Sequence, residues 1–532
     1  MDKKKSGSYY TPERLSSFVA NYCLSHISDR ENISILEPSV GDGSFLNAIS
    51  NSPLINGFNL VDIVVVEKEE EELQKAIDIE INANMRLSTN NVDYLDFHFT
   101  DQNNYSLIIG NPPYVKKNHL TEGQKESAKR IHAERNLSDK SINNIWTSFL
   151  VSGITKLAND GFIAMILPLE LLQVKFTEEI RNLLKQEFTR IEIFTFNELQ
   201  FQECKGQDTV LLIGYKQHEL EGIFYTNINS IEDLEQNNYE FYQNAALSDS
   251  ERKWTHHFIT PDEYEFLENI KIRLHDASHF VNNKAGIVTA ANDFFIVSED
   301  RLNEYGLNDF ARPIVQKGFF VNGSVSFTNE DFIALSEGNK PTYLLDFNLM
   351  EDKDITPEIM TYLNIGVERE IPDRYKCKQR ERWYKVPNIS TVPDAFFFKR
   401  AHEYPKLLTN QANVLVTDSA YKIEPKEGVD IQNFIFSFYN SLTLAFAELE
   451  GRYYGGGVLE LTPNEFRVLP IPYVECQDFR AYEHFFDNKQ SIEDVLAEYN
   501  YQILNGSLGL TLEEIDRIES IRKKLINKRH RK

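Results

Sequence analysis

The chain has 532 residues, of which 41% are hydrophobic and 26% are charged, an ordinary composition for soluble globular domains. At about 100–200 residues per domain, this length predicts two to four domains. Domains of this size bury enough apolar surface to fold without stabilising metal ions or disulfide bonds. The four cysteines are scattered and form no CxxC pair. Their spacing argues against a disulfide scaffold and a thiolate metal site, and it favours a reducing, cytoplasmic location. No segment reaches the roughly 18 apolar residues of a membrane span, so we expect no membrane contact.

The net charge limits the classes of partner. The chain carries 56 basic and 81 acidic residues, which gives a formal net charge of −25. Such a charge argues against a protein that coats nucleic acid through bulk electrostatic attraction. A nucleic-acid partner is compatible with it only if basic residues gather on one surface.

The predicted elements of residues 1–216 alternate between short apolar strands and helices. Strands are predicted over 34–36, 63–66, 107–109, 161–167, 191–194 and 209–215, and helices over 12–26, 69–83, 145–158 and 177–187. Short β-branched runs separated by helices are typical of an α/β protein with a doubly wound, Rossmann-like sheet. Ligands of such sheets bind at the carboxyl ends of the strands, so the residues that follow each strand are the candidates for function.

The alternation is lost after Gln217, where Asn, Asp and Glu become frequent. We interpret 217–260 as a linker or peripheral segment. Residues 261–475 are expected to form a second domain of mixed α+β structure, and 476–532 a charged helical tail.

A glycine-containing turn follows the first strand. Gly41 and Gly43 permit a tight turn and a close backbone approach to a ligand, ahead of a helix. The third glycine of a GxGxxG fingerprint is missing, so a plain strand-to-helix turn is the alternative. Glu67 ends the second strand, where an acid can accept hydrogen bonds from both hydroxyls of a ribose. The alternative for Glu67 is an ordinary surface glutamate.

The sequence Asn111-Pro112-Pro113-Tyr114 follows the apolar run 107–109. Two consecutive prolines continue neither a strand nor a helix, so they predict a fixed turn at the carboxyl edge of the sheet. The Asn111 amide oxygen and the Pro112 carbonyl are acceptors on this turn, and Tyr114 adds a ring beside them. Two acceptors and a stacking surface suit a planar primary amine, such as an exocyclic amino group of a base or a carboxamide.

Together these motifs resemble those of the adenine-N6 DNA methyltransferases that use S-adenosylmethionine (SAM). Residues 7–12 are similar to the family's N-terminal cofactor motif, 36–46 to its glycine-loop motif, and 111–114 to its catalytic motif. Their order is similar to the γ class, in which a target-recognition domain follows the catalytic domain. The resemblance therefore implies a SAM-binding catalytic domain in 1–216 and a DNA-binding target-recognition domain in 261–475.

The resemblance also implies roles for individual residues. Asn111 and Pro112 would hold the target amine, while Tyr114 and Phe201 would stack on an adenine flipped out of duplex DNA. The cofactor site would comprise Tyr10, Thr11, Pro12, Glu37, Gly41, Gly43, Glu67, Asp93 and Tyr94. Methyl transfer from a sulfonium needs no metal, so no metal site is expected.

Basic residues suited to DNA contact cluster in 374–385, which contains six basic residues, one acid and three aromatics. Its basic residues are Arg374, Lys376, Lys378, Arg380, Arg382 and Lys385. Lys116 and Lys117 follow the catalytic turn and could grip phosphates beside the flipped base. The polar stretch 116–144 could be a lid that orders when DNA binds. A solvated charged face is the alternative for all of these lysines and arginines.

Other substrates stay open at this point. A protein-glutamine N5-methyltransferase would bind a carboxamide in the same pocket, and an RNA adenine methyltransferase would use the same chemistry. The long C-terminal region with its basic stretch favours DNA, and the intact motifs argue against a catalytically idle scaffold subunit. We expect the modification enzyme of a restriction-modification system, with a cognate endonuclease as a possible partner. The charged run at Glu351 and Lys353 is too compact to predict a fused nuclease site.

Overall fold

The structure is a computed structural model that describes residues 10–197, 208–243, 253–321, 323–389, 391–454 and 456–530. The chain divides into two compact units, with the main boundary between Tyr264 and Glu265. In the described ranges, no helix is both long and apolar enough to cross a membrane.

A mixed sheet forms the centre of the first unit. Nine strands of the described residues build it, in the order β3-β2-β1-β4-β5-β7-β6-β8-β9. Adjacent strands from β3 to β5 pair in parallel, β7 is antiparallel to both β5 and β6, and β8 is parallel to β6. The carboxyl ends of β1 to β4 therefore share one edge. The strands are Asn32–Glu37 (β1), Leu60–Val66 (β2), Met85–Asn90 (β3), Tyr105–Gly110 (β4), Leu157–Pro168 (β5), Arg190–Phe196 (β6), Thr209–Tyr215 (β7), Gly222–Ile228 (β8) and Tyr242–Gln243 (β9).

Helices of the first unit cover this sheet with their apolar faces. The core that they share with the strands includes Leu15 and Val19 of the first helix and Ile35 and Ile63 of the sheet, each at most 1% exposed. The helices are Glu13–His26 (α1), Ser44–Ser50 (α2), Glu70–Ile77 (α3), Tyr94–Thr100 (α4), Glu122–Ala133 (α5), Trp146–Lys156 (α6), Glu170–Gln173 (α7), Glu178–Glu187 (α8) and Ile231–Glu235 (α9). The next helix along the chain, Pro261–Lys271 (α10), begins in the first unit and ends in the second.

The predicted α/β class with a Rossmann-like sheet is confirmed. All six predicted strands and all four predicted helices of 1–216 are present, most of them extended or shortened by a few residues. Strand β3 and helices α4, α5 and α7 were not predicted. Strand β3 lies at the sheet edge and buries mainly Met85, so it lacks an apolar run. Helix α5 is rich in charged side chains, and its start is marked instead by a capping box between Thr121 and Gln124.

The segment 217–260 is more than a linker. Its strand β8 pairs with β6 over seven residues, from Gly222 to Ile228, and β9 adds an edge strand. Ile228 is 1% exposed in the core of the first unit. The alternation of strands and helices stops after Gln217 because the strands of this segment pair at the sheet edge without an intervening crossover helix. This loss of alternation suggested a linker or peripheral segment.

The second unit contains several small sheets. Strands β11-β20-β16-β18-β14, β12-β15-β13-β19, β17-β22-β21 and β10-β23 form them among the described residues. The strands are His275–Asp276 (β10), Val281–Ala285 (β11), Ile296–Val297 (β12), Ala311–Val315 (β13), Ser326–Phe327 (β14), Tyr343–Leu345 (β15), Ala395–Phe398 (β16), Arg400–Ala401 (β17), Lys406–Asn410 (β18), Leu415–Val416 (β19), Ala420–Pro425 (β20), Arg452–Tyr454 (β21), Val458–Glu460 (β22) and Pro470–Ile471 (β23).

Short helices connect these strands, and longer helices follow them. They are Ala277–Phe280 (α11), Asn292–Phe295 (α12), Glu299–Tyr305 (α13), Asn329–Glu337 (α14), Pro357–Glu368 (α15), Tyr375–Lys378 (α16), Ile431–Phe438 (α17), Ser441–Glu450 (α18), Pro463–Arg467 (α19), Phe479–Asp487 (α20), Ile492–Leu508 (α21) and Leu512–His530 (α22). The predicted mixed α+β character of the C-terminal region is thus confirmed.

The charged C-terminal segment is helical, as predicted, but it packs into the second unit instead of projecting as a tail. Helix α22 buries Ile518 and Leu525 completely. Its Arg529 side chain is also buried, where Nε donates to Glu448 Oε2 at 2.8 Å. Part of the charge that led to the prediction of a charged helical tail over 476–532 is therefore paired inside the fold.

Candidate active site

A cavity of about 460 Å³ opens at the carboxyl edge of the first-unit sheet. Its wall includes residues that follow β1, β2, β3 and β4, the segment that leads into α5, and residues before α1 and at the start of α6. This position is where ligands of open α/β sheets bind. Of the predicted site residues, Tyr10, Thr11, Glu37, Gly41, Glu67, Asp93, Tyr94 and Asn111 line it.

The two glycines of the turn after β1 have different structural roles. Gly41 has a φ of +53° and lines the cavity, and a Cβ there would lie 3.8 Å from the Tyr10 ring. Gly43 has a φ of +83° and is the residue before α2. A Cβ on Gly43 would lie 2.3 Å from Ile79 Cδ1 and 3.3 Å from Ala76 Cα. Gly43 therefore permits close packing of the turn against α3 and is not a cavity residue.

Glu37, the last residue of β1, brings a buried carboxyl group to the cavity wall. Its side chain is 1% exposed, and its Oε2 has no hydrogen-bond partner among the described residues. Burial raises the pKa of Glu37 well above its ordinary value, and the nearby carboxylates of Asp42 and Glu67 raise it further. An unsatisfied buried carboxyl oxygen is costly, so this site favours a ligand that carries a positively charged hydrogen-bond donor.

Glu67 lies directly after β2 and links two turns. Its Oε2 accepts from the backbone N–H of Gly41 at 3.1 Å, and its Oε1 accepts from the N–H of Glu69 at 3.1 Å. Burial raises the pKa of Glu67, while these two N–H groups act in the opposite direction. The carboxyl group therefore holds the glycine turn in place on the cavity wall.

Asp93 and Tyr94 form the wall after β3. Asp93 caps α4, because its Oδ1 accepts from the N–H of Leu95 at 2.9 Å. Its Oδ2 accepts from Gln124 Nε2 at 2.8 Å, which connects this wall to α5. Tyr94 is buried, and its hydroxyl accepts from Ser152 Oγ at 2.9 Å. The carboxylate of Asp93 is thus held from two sides beside an aromatic surface.

The Asn111 turn lies directly after β4, as predicted. Asn111 Nδ2 donates to Thr11 Oγ1 at 3.3 Å, and the hydroxyl of Tyr114 donates to Asn111 Oδ1 at 3.0 Å. Ser39 Oγ donates to the Asn111 carbonyl at 3.2 Å. Both ends of the carboxamide are therefore positioned by neighbouring side chains.

Several predicted residues lie beside the cavity wall but not on it. They are Pro12, Gly43, Pro112, Tyr114, Lys116 and Lys117. Lys117 Nζ donates to the Asp139 carbonyl at 3.1 Å, and Lys116 pairs through its backbone with Asn144. Phe201 lies outside the described residues. Two nearby rings in the sequence, Phe194 and Phe196, are alternatives for this stacking role. Phe194 is fully buried against Phe18, with ring centroids 5.9 Å apart.

The segment before and at the start of α5 is a part of the cavity wall that was not predicted from the sequence, as are Ile145 and Phe149. His119, Leu120, Thr121 and Gln124 all line the cavity. The polar stretch 116–144 that suggested a lid thus contains an ordered helix and contributes directly to the small-ligand site. The capping-box spacing of Thr121 and Gln124 was the available signal for this helix.

In the second unit, the basic stretch 374–385 is partly built into the fold. Arg380 Nη2 donates to the Thr289 carbonyl at 2.7 Å, and Arg374 Nη1 donates to the Ala290 carbonyl at 2.9 Å. Tyr384 is only 7% exposed, and Trp383 packs 5.4 Å from the Phe294 ring. Tyr375 is 78% exposed, and Lys376 is also exposed. The outer part of this stretch keeps the composition predicted for DNA contact.

Comparison with known proteins defines the class. Residues 50–201 match the family described as Eco57I restriction-modification methylase, and 251–504 match the C-terminal domain of the Type II methyltransferase M.Eco57I. The chain is 23% identical to the Type II methyltransferase M.AccI of Acinetobacter calcoaceticus, over 97% of this chain and 93% of the relative. It is 20% identical to M.BanIII of Aneurinibacillus aneurinilyticus, over 80% and 82%.

One solved structure supports the fold along nearly the whole chain. The Type IIL restriction-modification enzyme MmeI, solved in complex with DNA, matches with a TM-score of 0.57 at 13% identity. The match covers 97% of this chain and 73% of that one. The two family matches and the Type II relatives support a restriction-modification methyltransferase of the γ class.

Proposed function

We propose that this methyltransferase transfers the methyl group of SAM to N6 of an adenine flipped out of duplex DNA, as the modification enzyme of a restriction-modification system. The observation that carries the proposal is the position of Asn111. Its carboxamide is held at the carboxyl end of β4, on the wall of the same cavity as Glu37, Glu67 and Asp93. An acceptor for an amine thus lies in the same cavity as an acidic pocket.

The acidic residues fit SAM. When bound, SAM supplies an electrophilic methyl group on a positively charged sulfonium. Glu37 would pair with the α-ammonium group through the oxygen that has no partner among the described residues. Glu67 would accept from the ribose hydroxyls, and Asp93 would accept from the amino group of the cofactor's adenine. The cavity volume of about 460 Å³ is in the range of small-molecule sites.

Asn111 and Pro112 would prepare the nucleophile. The lone pair of an adenine N6 is delocalised into the ring, which makes the amine a weak nucleophile. Asn111 Oδ1 and the Pro112 carbonyl would each accept one N6–H, which favours a tetrahedral nitrogen with a localised lone pair. Orienting this nitrogen toward the methyl group is the kind of preorganisation that contributes up to about 7–11 kcal/mol. The proton lost from N6 would pass to water or to Asp93.

The target base must leave the duplex before it can reach Asn111. Unstacking costs a few kcal/mol, and stacking on an aromatic ring returns about 1–3 kcal/mol per base. Tyr114 and Phe201 would supply the rings for this stacking. Duplex DNA would in addition be held by Lys116, Lys117 and the exposed part of 374–385.

A product analysis tests the proposal. The purified full chain is incubated with methyl-labelled SAM and, separately, with mixed-sequence duplex DNA, RNA or protein, and the labelled product is hydrolysed and identified. We expect label in N6-methyl-2′-deoxyadenosine only. Label in RNA adenosine, in cytosine or in glutamine would contradict the proposed substrate.

Two variants link the reaction to Asn111. Asn111→Ala should abolish methyl transfer while binding of S-adenosylhomocysteine, measured by calorimetry, persists. The matched control is Asn59→Ala, an exposed asparagine whose amide instead donates to Glu31 at 2.6 Å. Asn59→Ala should retain wild-type turnover. Sequencing of methylated genomic sites would then identify the target sequence.

A further inference from the structure

We propose that the surface turn formed by residues 317–321 in the second unit contacts duplex DNA, with Phe319 packing against a base or sugar and Lys317 pairing with a phosphate. The inference rests on the proposed function, which makes duplex DNA the substrate. Lys317 and Phe319 lie outside the basic stretch 374–385.

An aromatic ring and a cation share the outer face of this turn. Phe319 is 71% exposed, although its neighbour Phe320 is buried in the core of the unit. Lys317 is exposed, and its Nζ lies 5.4 Å from the centroid of the Phe319 ring. Single exposed apolar side chains are common on protein surfaces, so the exposure of Phe319 alone indicates nothing. A ring combined with a cation is the pair that nucleic-acid-binding surfaces use, one for the bases and one for the phosphates.

The turn is held firmly from its inner side. Lys406 Nζ donates to the carbonyls of Gly318 at 3.2 Å and Val321 at 3.4 Å. A Cβ on Gly318 would lie 3.3 Å from the Phe398 ring, so the backbone is pressed against strand β16. The ring of Phe320 also packs 4.5 Å from that of Phe319, at 69°. A ring displayed on a fixed backbone loses little conformational entropy when it binds.

The outward charge of this turn is that of Lys317, whose side chain is exposed. A further lysine, Lys489, donates to the carbonyl of Gly323 at 2.6 Å, just beyond the turn. The ammonium groups of Lys406 and Lys489 are held by backbone carbonyls, and Glu403 lies near both, so Lys317 is the cation offered to a phosphate. Duplex DNA is the polyanion that the proposed reaction requires.

Binding measurements on the full chain test this inference. Fluorescence anisotropy with a labelled DNA duplex gives the affinity of each variant between about 50 and 200 mM salt. Phe319→Ala should weaken binding about 5- to 100-fold with an unchanged salt slope, as expected for loss of one stacking partner. Lys317→Ala should lower the slope of log K against log salt by about one. Phe319→Trp, which keeps an aromatic surface, should retain affinity.

Two exposed residues of the same unit serve as matched controls. Leu349→Ala removes a side chain that is 94% exposed, and Lys340→Ala removes an exposed lysine. Both should bind as the wild type does. Wild-type affinity and salt slope in Phe319→Ala and Lys317→Ala would overturn the inference, as would losses of equal size in the controls or losses on an RNA duplex only. Because the product analysis uses the wild type, its failure would concern the proposed function and not this turn.

Discussion

The hydroxyl of Tyr114 donates a hydrogen bond of 3.0 Å to the carboxamide oxygen of Asn111, and it also lies within 3.1 Å of the Ile166 carbonyl. Sequence reasoning gave Tyr114 one role, as a ring that stacks on the target base. The structure adds a second role, because the hydroxyl lies between the Asn111 carboxamide and strand β5. The turn between β4 and α5 is therefore braced against the neighbouring strand.

This geometry separates two contributions of Tyr114. Tyr114→Phe keeps the ring and removes the hydrogen bond, so methyl transfer should slow by about 3- to 10-fold, the equivalent of a bond worth roughly 0.5–1.5 kcal/mol. Tyr114→Ala also removes the stacking ring and should lose about a further 5- to 100-fold. Single-turnover rates at saturating SAM and DNA measure both effects. Tyr242→Phe, at an exposed tyrosine of β9, is the control and should leave the rate unchanged.

The sheet and the motif residues could be predicted from the sequence because buried parallel strands form continuous apolar runs. The run Ile63 to Val66 is an example, and it places Glu67 at the strand end. Residues whose partners come from distant segments could not be predicted this way. Gln124 contacts Asp93 across 31 positions, and Arg529 pairs with Glu448 across 81. Charge composition alone did not show that Arg529 is buried or that Arg380 bonds a backbone carbonyl.

The raised pKa of Glu37 makes cofactor binding depend on pH. In the folded protein without ligand, the pKa of Glu37 lies well above the ordinary carboxyl value of 4.5, because the group is buried near Asp42 and Glu67. The carboxyl group therefore stays protonated at pH values somewhat above 4.5. A ligand ammonium favours the charged carboxylate and lowers this pKa. Between the lowered and the raised pKa, binding therefore releases a proton, and the affinity for S-adenosylhomocysteine should increase as the pH rises. Calorimetry in buffers of different ionisation enthalpy measures the released proton.

Glu37→Gln removes the titrating group and keeps the shape of the side chain. This variant should bind S-adenosylhomocysteine more weakly, and its binding should release less proton than that of the wild type. The unliganded wild type should also lose more stability than Glu37→Gln as the pH rises above 4.5, because a raised carboxyl pKa is a stability contribution that disappears when the group ionises. Equal proton release in both proteins would contradict the assignment of the ammonium partner.

Gln124 should position Asp93 for the cofactor. Gln124→Leu removes the 2.8 Å hydrogen bond to Asp93 Oδ2 and half of the capping box of α5. Affinity for S-adenosylhomocysteine should fall about 3- to 10-fold, in line with the loss of one hydrogen bond to a charged or neutral partner. The control is Glu122→Gln, on the exposed face of the same helix turn. An unchanged affinity in Gln124→Leu would show that α5 only covers the cavity and does not orient its acid.

The two glycines after β1 should respond differently to alanine. Gly43→Ala places a Cβ 2.3 Å from Ile79 Cδ1 and 3.3 Å from the Ala76 backbone, at a φ of +83°. The left-handed conformation costs about 1–2 kcal/mol, and overpacking adds about 1–3 kcal/mol. Gly41 has a φ of +53°, and a Cβ there would lie 3.8 Å from the Tyr10 ring, which is an ordinary contact. Gly41→Ala should therefore lose only the stability that the left-handed conformation costs.

Urea unfolding of the unliganded protein measures these losses, with calorimetry of S-adenosylhomocysteine on the same samples. Gly43→Ala should lose the larger share of stability, because its Cβ forces α3 away from the turn. In Gly41→Ala the loss of cofactor affinity should exceed the loss of stability, because the added methyl group lies on the cavity wall. It also lies beside Glu67, whose Oε2 accepts a hydrogen bond from the N–H of residue 41. If Gly41→Ala lost more stability than Gly43→Ala, the contact with Ile79 would relax easily. The conformation of the turn, and not its packing against α3, would then determine the stability of this region.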